Sequence, residues 1–405
     1  MSNKSKELIA TYNKGELYKH GHLHIVVVEG SLPEMGEQYG HLLKELLHQR
    51  YAFRQTICDI TDAEKKALVH RFTELTKSRY PHSYVEFFKG MVKGSGMSWE
   101  ELIFLDYARM FDMIAKFGLP QEDAGCAMIS ARGEFTTHGH VVVGRNFDWI
   151  CDAIDLEHEP MVVAVYKPEG TNTEFATVGL AGWIKVLTGF SNHHLMLENN
   201  SGRLSVGNVR MTNWKSTEYQ MNEVMLKSNN FNELKETLLN RPFDQGAICS
   251  VFGVDDMVSI EASPYAMRAR DAGVDTKLEE QRDKDLLVST NHFRLPGWED
   301  LIPKSHDPYP APGTTESHSH ERTAGLIDLG FKHKGKIDMD VMKEIMLTSI
   351  DDGGATEYLE DKTENIDYTY ITIVADMAEL KISVCSPVAH VPWTDVDLKE
   401  YFSNY

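Results

Sequence analysis

After a short apolar run at Leu23 to Val28, the chain keeps a helical spacing of apolar positions to about residue 118. Ser31, Pro33 and Glu34 form a capped start, and Met35, Tyr39, Leu42, Leu43, Leu46 and Leu47 then fall on one helical face. The same period predicts helices over 62–78, 83–93 and 98–115, the last opening with Ser98 and Glu101 as a capping box. From Cys126 the period becomes that of a strand. Cys126 to Ser130, a polar turn through Gly133 to Gly139, and His140 to Asn146 predict a hairpin of a buried sheet. Further strands are expected near 160–166, 174–179, 194–198, 248–254 and 257–262, with helices over 217–227, 232–239 and 338–347. Alternation from Tyr368 to Ala375, a turn at Asp376, and Leu380 to Cys385 predict a closing strand pair. Strands grouped apart from helices predict an α+β fold of antiparallel sheets layered with helices.

Composition narrows the possible functions. The 405 residues are 42% hydrophobic and 25% charged, as in a globular protein with a large core. A formal net charge of -20 repels phosphate backbones and anionic lipid, so neither nucleic acid nor a membrane is an expected partner. No apolar run approaches the roughly 18 to 20 residues of a bilayer span, and the opening residues do not resemble a signal peptide, so the expected location is cytoplasmic. The five cysteines are widely spaced with no CxxC pair, which argues against a disulfide framework and structural zinc, and leaves room for a working thiol.

The candidate thiol is Cys126, directly after Gly125 and at the start of a predicted buried strand. Glycine tolerates the bent backbone of a scissile peptide, so the thiol can attack the Gly125 carbonyl, shift the acyl group to sulfur and leave water to release a new N-terminus. That α-amine, with a reference pKa of about 7.7 to 8.0, is a general base for the thiol of its own residue. Across the hairpin, Gly144 to Trp149 return beside Cys126, bringing Arg145 and Asp148 near. A guanidinium lowers a neighbouring thiol's pKa, and a carboxylate can hold the new ammonium.

These residues carry a resemblance to the penicillin acyltransferase-like family of autoproteolytic N-terminal-nucleophile (Ntn) hydrolases, typified by acyl-coenzyme A:6-aminopenicillanate acyltransferase. Choloylglycine hydrolases and acid ceramidase are more distantly similar. The resemblance spans nearly the whole chain: Val28 to Gly30 with Met35 to Gly40, Phe88 through Leu102, Gly125 with Cys126, and the most specific signature, Gly144 to Trp149. It implies a four-layer αββα sandwich, with residues 1–125 a mainly helical propeptide that stays associated as an α-chain and residues 126–405 the catalytic β-chain. It further implies hydrolysis of a linear carboxamide, or acyl transfer from it, through a thioester on Cys126. Thr290 to Phe293 are similar to the strand end whose asparagine is an oxyanion donor, here Asn291. Ser319 to Arg322 are similar to a later Ser-x-x-Arg, which implies Arg322 near the thiol. Asn200, or Asn199 in a shifted register, is the second candidate oxyanion donor, and Trp149 and Trp183 are candidate walls of an acyl pocket. The segment Gly189 to Leu195 departs from the family, with Ser191 and His194 where Asn and Gly are usual. The expected partner is a small amide or acyl donor; no cofactor or metal is expected, and a homo-oligomer is left open.

The sequence also admits two rival readings. The 18 histidines include His138 with His140, His193 with His194, and His318 with His320, so a His-dependent metallohydrolase is one alternative. A catalytically degenerate fold retained for binding is the other.

Overall fold

The computed structural model describes residues 6–58, 60, 62–108, 111, 125–149, 156–206, 214–273, 283–301, 315–361 and 368–403. Among them are two sheets. In spatial order, the ten-stranded sheet contains β1 (Glu7–Tyr12), β2 (Gly15–His20), β3 (Leu23–Gly30), β6 (Met161–Pro168), β7 (Phe175–Leu180), β8 (Thr188–Ser191), β9 (Leu195–Ser201), β10 (Ala247–Phe252), β11 (Met257–Ala262) and β12 (Met267–Asp271). The six-stranded sheet runs β13 (Leu286–Ser289), β4 (Cys126–Ala131), β5 (Val142–Trp149), β14 (Tyr368–Asp376), β15 (Lys381–Ser386) and β16 (Val391–Asp397). Neighbours pair antiparallel except β3 with β6, which run parallel.

Period-two alternation sorts the side chains into three apolar layers. Val26, Val28, Val162 and Ala164 face outward. Over them lie α1 (Leu32–Leu42), α2 (Lys44–Ile57), α3 (Ala63–Arg79), α4 (His82–Ser95), α5 (Trp99–Asp106), α6 (Thr217–Lys227) and α7 (Phe231–Leu239). Their strand neighbours Ile25, Val27, Val163 and Val165 point the other way, against Met128, Val143 and Ile373 of the second sheet. On that sheet's far face Ala127, Ile129 and Ala131 meet α8 (Thr315–Lys332) and α9 (Met339–Met346) through Leu326, Ile345 and Met346. Three apolar interfaces between four layers make an αββα sandwich, the architecture expected.

The Met35 to Gly40 and Phe88 to Gly94 segments have a packing explanation. A Cβ on Gly36 would lie 2.0 Å from the Phe87 carbonyl oxygen, and one on Gly90 would lie 2.1 Å from that of Pro33. Helices α1 and α4 thus touch backbone to backbone, which only glycine allows.

The first 125 residues differ from expectation in one respect. They supply three strands of the large sheet, where periodicity showed only β3. Strands β1, β2, β8, β12, β13 and β16 were also not legible as apolar alternation; β1 is an edge strand of mostly exposed residues. Helix α5 ends at Asp106, so the tail of the expected 98–115 helix falls largely outside the described residues.

Candidate active site

The site lies at the open end of the β4–β5 hairpin. Cys126 pairs with Phe147, and Met128 with Arg145. Cys126 and Arg145 therefore share the face toward the ten-stranded sheet, while Asp148, three residues beyond Arg145, is on the opposite face. One Arg145 Nη lies 3.8 Å from the Cys126 Sγ and donates to the Asn199 carbonyl at 2.9 Å; its Nε meets Glu198 Oε2 at 3.2 Å. Asp148 does not reach the thiol. Its Oδ2 accepts from Arg322 at 3.0 Å and its Oδ1 from Thr369 at 2.7 Å.

Arg322 closes the other side. From α8 it donates to the Cys126 carbonyl at 2.9 Å and to Asn291 Oδ1 at 2.9 Å. That same Oδ1 accepts the backbone N–H of Cys126 at 3.0 Å, while Asn291 Nδ2 donates to the Ser201 carbonyl at 3.1 Å. Ser319, one helical turn before Arg322, accepts the Asn291 N–H at 2.9 Å and ties the strand end to α8. The Gly125 carbonyl accepts the backbone N–H of Asp148 at 3.1 Å. Asn200 lies beside this group with its Nδ2 3.3 Å from the Thr290 carbonyl; among the described residues its buried Oδ1 has no hydrogen-bond partner. Asn199 lends its carbonyl to Arg145 and receives the Cys249 thiol on its side chain.

Burial dominates the electrostatics. The Cys126 thiol is 2% exposed, and desolvation pushes its pKa up to about 12; Arg145 and Arg322 oppose the rise, while Asp148 and Glu198 add to it. Sequence alone led us to expect a thiol lowered by Arg145. The guanidinium does pull in that direction, but it is shared with Glu198 and outweighed by desolvation. Burial likewise raises Asp148 against the pull of Arg322, and Glu198 against that of Arg145. Glu198 is the site residue that sequence reasoning missed. Its signal was an acidic residue directly after the apolar run Leu195 to Leu197, within the strand expected near 194–198.

The thiol opens on a pocket holding about 630 Å³ of empty space including its mouth. Phe147, Trp149, Trp183 and Leu187 form an apolar wall, with the Phe147 and Trp149 rings stacked at 6.1 Å and Trp183 edge-on to Phe147 at 5.3 Å. Lys185, paired with Glu218 at 3.4 Å, lies at its polar side. The departing segment at Ser191 to His194 forms the β8–β9 turn and does not line this pocket. His194 occupies a left-handed position (φ 56°) where glycine is favoured, and its Nδ1 is 2.8 Å from the Met377 carbonyl.

Among the described residues no group of three or more His, Cys, Asp or Glu is arranged to hold a metal ion. His138 and His140 face Asp376 and Asp255 separately, and the His320 ring lies tilted against that of His292, with centroids 3.8 Å apart. No helix among the described residues is long and apolar enough to cross a membrane. Cys151 lies outside the described residues.

No family model matches the chain. A curated relative, protein dcd1A of Dictyostelium discoideum, is 26% identical over 222 residues, 47% of this chain and 48% of the relative, so the chain spans about half the length of the curated relative it matches. Among solved structures, the N-acylethanolamine-hydrolyzing acid amidase ortholog of Caenorhabditis elegans is similar at 16% identity and a TM-score of 0.41, covering 69% of this chain and 97% of its own. A variant of conjugated bile acid hydrolase from Clostridium perfringens is similar at 12% identity and a TM-score of 0.45, covering 68% and 93%.

Proposed function

We propose that this chain is a cysteine Ntn amidohydrolase that cleaves itself between Gly125 and Cys126 and then attacks a linear carboxamide with the Cys126 thiol. The observation that carries the reading is the position of one residue. Cys126 opens its strand with its backbone nitrogen on Asn291 Oδ1, its carbonyl on Arg322 and its thiol beside Arg145 at the mouth of an aromatic pocket.

In self-cleavage the Cys126 Sγ adds to the Gly125 carbonyl carbon. The Asp148 N–H, already on that oxygen, is placed to receive the developing negative charge. The C–N bond breaks, the nitrogen takes up the thiol proton, and water hydrolyses the resulting thioester. The freed α-amine stays on Asn291 Oδ1 and becomes the base that deprotonates the thiol for turnover. In turnover the substrate acyl group passes to sulfur and the protonated amine returns its proton to the leaving nitrogen. Water then releases the acid, or a second amine takes the acyl group. The side-chain amides of Asn291 and Asn200 are the oxyanion donors in this scheme. Asp148 acts at one remove, fixing the Arg322 guanidinium that holds Cys126.

After cleavage the first 125 residues should remain in place. Strand β3 pairs with β6 from His24 to Gly30, and helices α1 to α5 bury the outer face of the large sheet. The test is Cys126→Ala: the reading expects an uncut chain that hydrolyses no member of an N-acyl amide panel, whereas turnover by this variant would refute it. Added hydroxylamine or amino-acid acceptors distinguish hydrolysis from acyl transfer by the product formed.

A further inference from the structure

A second, partly open cavity, with about 420 Å³ of empty space that includes solvent at its mouth, lies between α1, α4, α6 and the outer face of the large sheet. Met35, Phe87, Tyr166, Phe175, Ile184 and Leu226 give it an almost wholly carbon lining. Its polar features lie together. Ser83 Oγ donates to Glu223 Oε1 at 2.9 Å, Arg241 meets Glu223 Oε2 at 3.3 Å, and Asn222 Nδ2 donates to the Ile184 carbonyl at 3.2 Å. Because that carbonyl can only accept, the Asn222 amide orientation is fixed. Its Oδ1 is buried and, among the described residues, has no hydrogen-bond partner. A buried acceptor left unpaired is destabilising, and a ligand carrying one donor would offset that loss.

We propose that this cavity binds a neutral, single-headed amphiphile, with its alkyl body on the carbon lining and its hydroxyl or amide N–H donating to Asn222 Oδ1. A carboxylate head is disfavoured, since it offers no donor to Asn222 and would be desolvated beside Glu223. The cavity adjoins the catalytic pocket through one stretch of chain. Ile184 lines the cavity, while its neighbours Trp183 and Lys185 line the pocket. The Ile184 carbonyl accepts from both Tyr84 and Asn222, and its N–H donates to Asp106 Oδ1 at 3.2 Å. An occupant therefore bears on the wall of the catalytic pocket and acts as an effector of it.

The inference does not rest on the amidase reading, because the test measures binding. Calorimetric titration of the full chain with 1-octanol should give one saturable site, with octanoate at least about tenfold weaker. Binding should survive alkylation of Cys126. Asn222→Leu should erase the preference for the alcohol, and Leu226→Trp, which fills the cavity, should abolish binding while thermal melting shows a folded chain. Saturating 1-octanol should also change the rate at which a maleimide modifies Cys126. Absence of saturable binding, unchanged binding in Leu226→Trp, or loss of binding on alkylation of Cys126 would overturn the site; an unchanged maleimide rate would overturn its action on the catalytic pocket.

Discussion

Arg50 and Arg145 are both essentially fully buried, and each is paired with one glutamate, yet their surroundings differ in kind. Arg50 meets Glu159 Oε1 at 3.2 Å and donates to the carbonyls of Leu105 and Ala181. Glu159 in turn binds Arg54 and the Tyr370 hydroxyl. That cluster ties α2, α5 and β14 together with oxygen ligands. Arg145 has the same kind of anchors in Glu198 and the Asn199 carbonyl, but it also faces a thiol at the edge of a pocket. The lesson is that burial of an ion pair says little about role. What sets Arg145 apart, and supports the catalytic role proposed for it, is a neighbour that is reactive rather than merely complementary.

The comparison can be broken by mutation. Glu159→Leu leaves two buried guanidiniums without their carboxylate and should cost about 3 to 5 kcal/mol of stability, read from urea denaturation. The specific activity of the surviving folded fraction should not change. Arg145→Met combined with Glu198→Leu removes both charges of the other pair. Its stability should stay near wild type, while self-cleavage and turnover fall by about 10²- to 10³-fold, the usual loss when a polar contact at a reacting centre is removed. Equal effects of the two replacements on stability and on activity would erase the distinction.

A third prediction concerns pH. In Gly125→Val, whose β-branched residue should block cleavage, burial keeps the Cys126 thiol protonated until about pH 12. Its alkylation rate should therefore climb about tenfold per pH unit well past 9. On the proposed reading the self-cleaved chain would carry its own α-amine, and its rate should level off at about pH 8. A plateau at ordinary thiol pH in Gly125→Val would contradict the desolvated site. The smallest expected effect is that of Trp183→Ala, which removes one face of the pocket. It should raise KM by about tenfold with little change in kcat, consistent with about 1 to 1.5 kcal/mol of aromatic contact. A loss confined to kcat would move Trp183 from the pocket wall into the chemistry.

Much of this arrangement was legible in the sequence, for physical reasons. A hairpin with apolar alternation and a polar turn fixes which residues return beside Cys126, so Arg145 was placed correctly beside the thiol. The same alternation should have warned that Asp148, three positions on, points away from it. The αββα layering followed from the resemblance; the glycines of α1 and α4, part of its motif, mark the closest helix contact. Edge strands such as β1 were not legible because they bury little, and α8 was missed because its first turns, rich in His and Ser, carry no apolar period. Long-range convergence was harder still. Arg322 is 196 residues from the Cys126 carbonyl it binds; periodicity does not encode that contact, and only the resemblance of Ser319 to Arg322 pointed to it.

The central claim is tested most directly by intact-mass analysis of freshly purified protein, with N-terminal sequencing of any fragments. The account predicts two associated chains, residues 1–125 and 126–405, the second beginning Cys-Ala-Met-Ile. A stable single chain of 405 residues that still turns over an amide would contradict it.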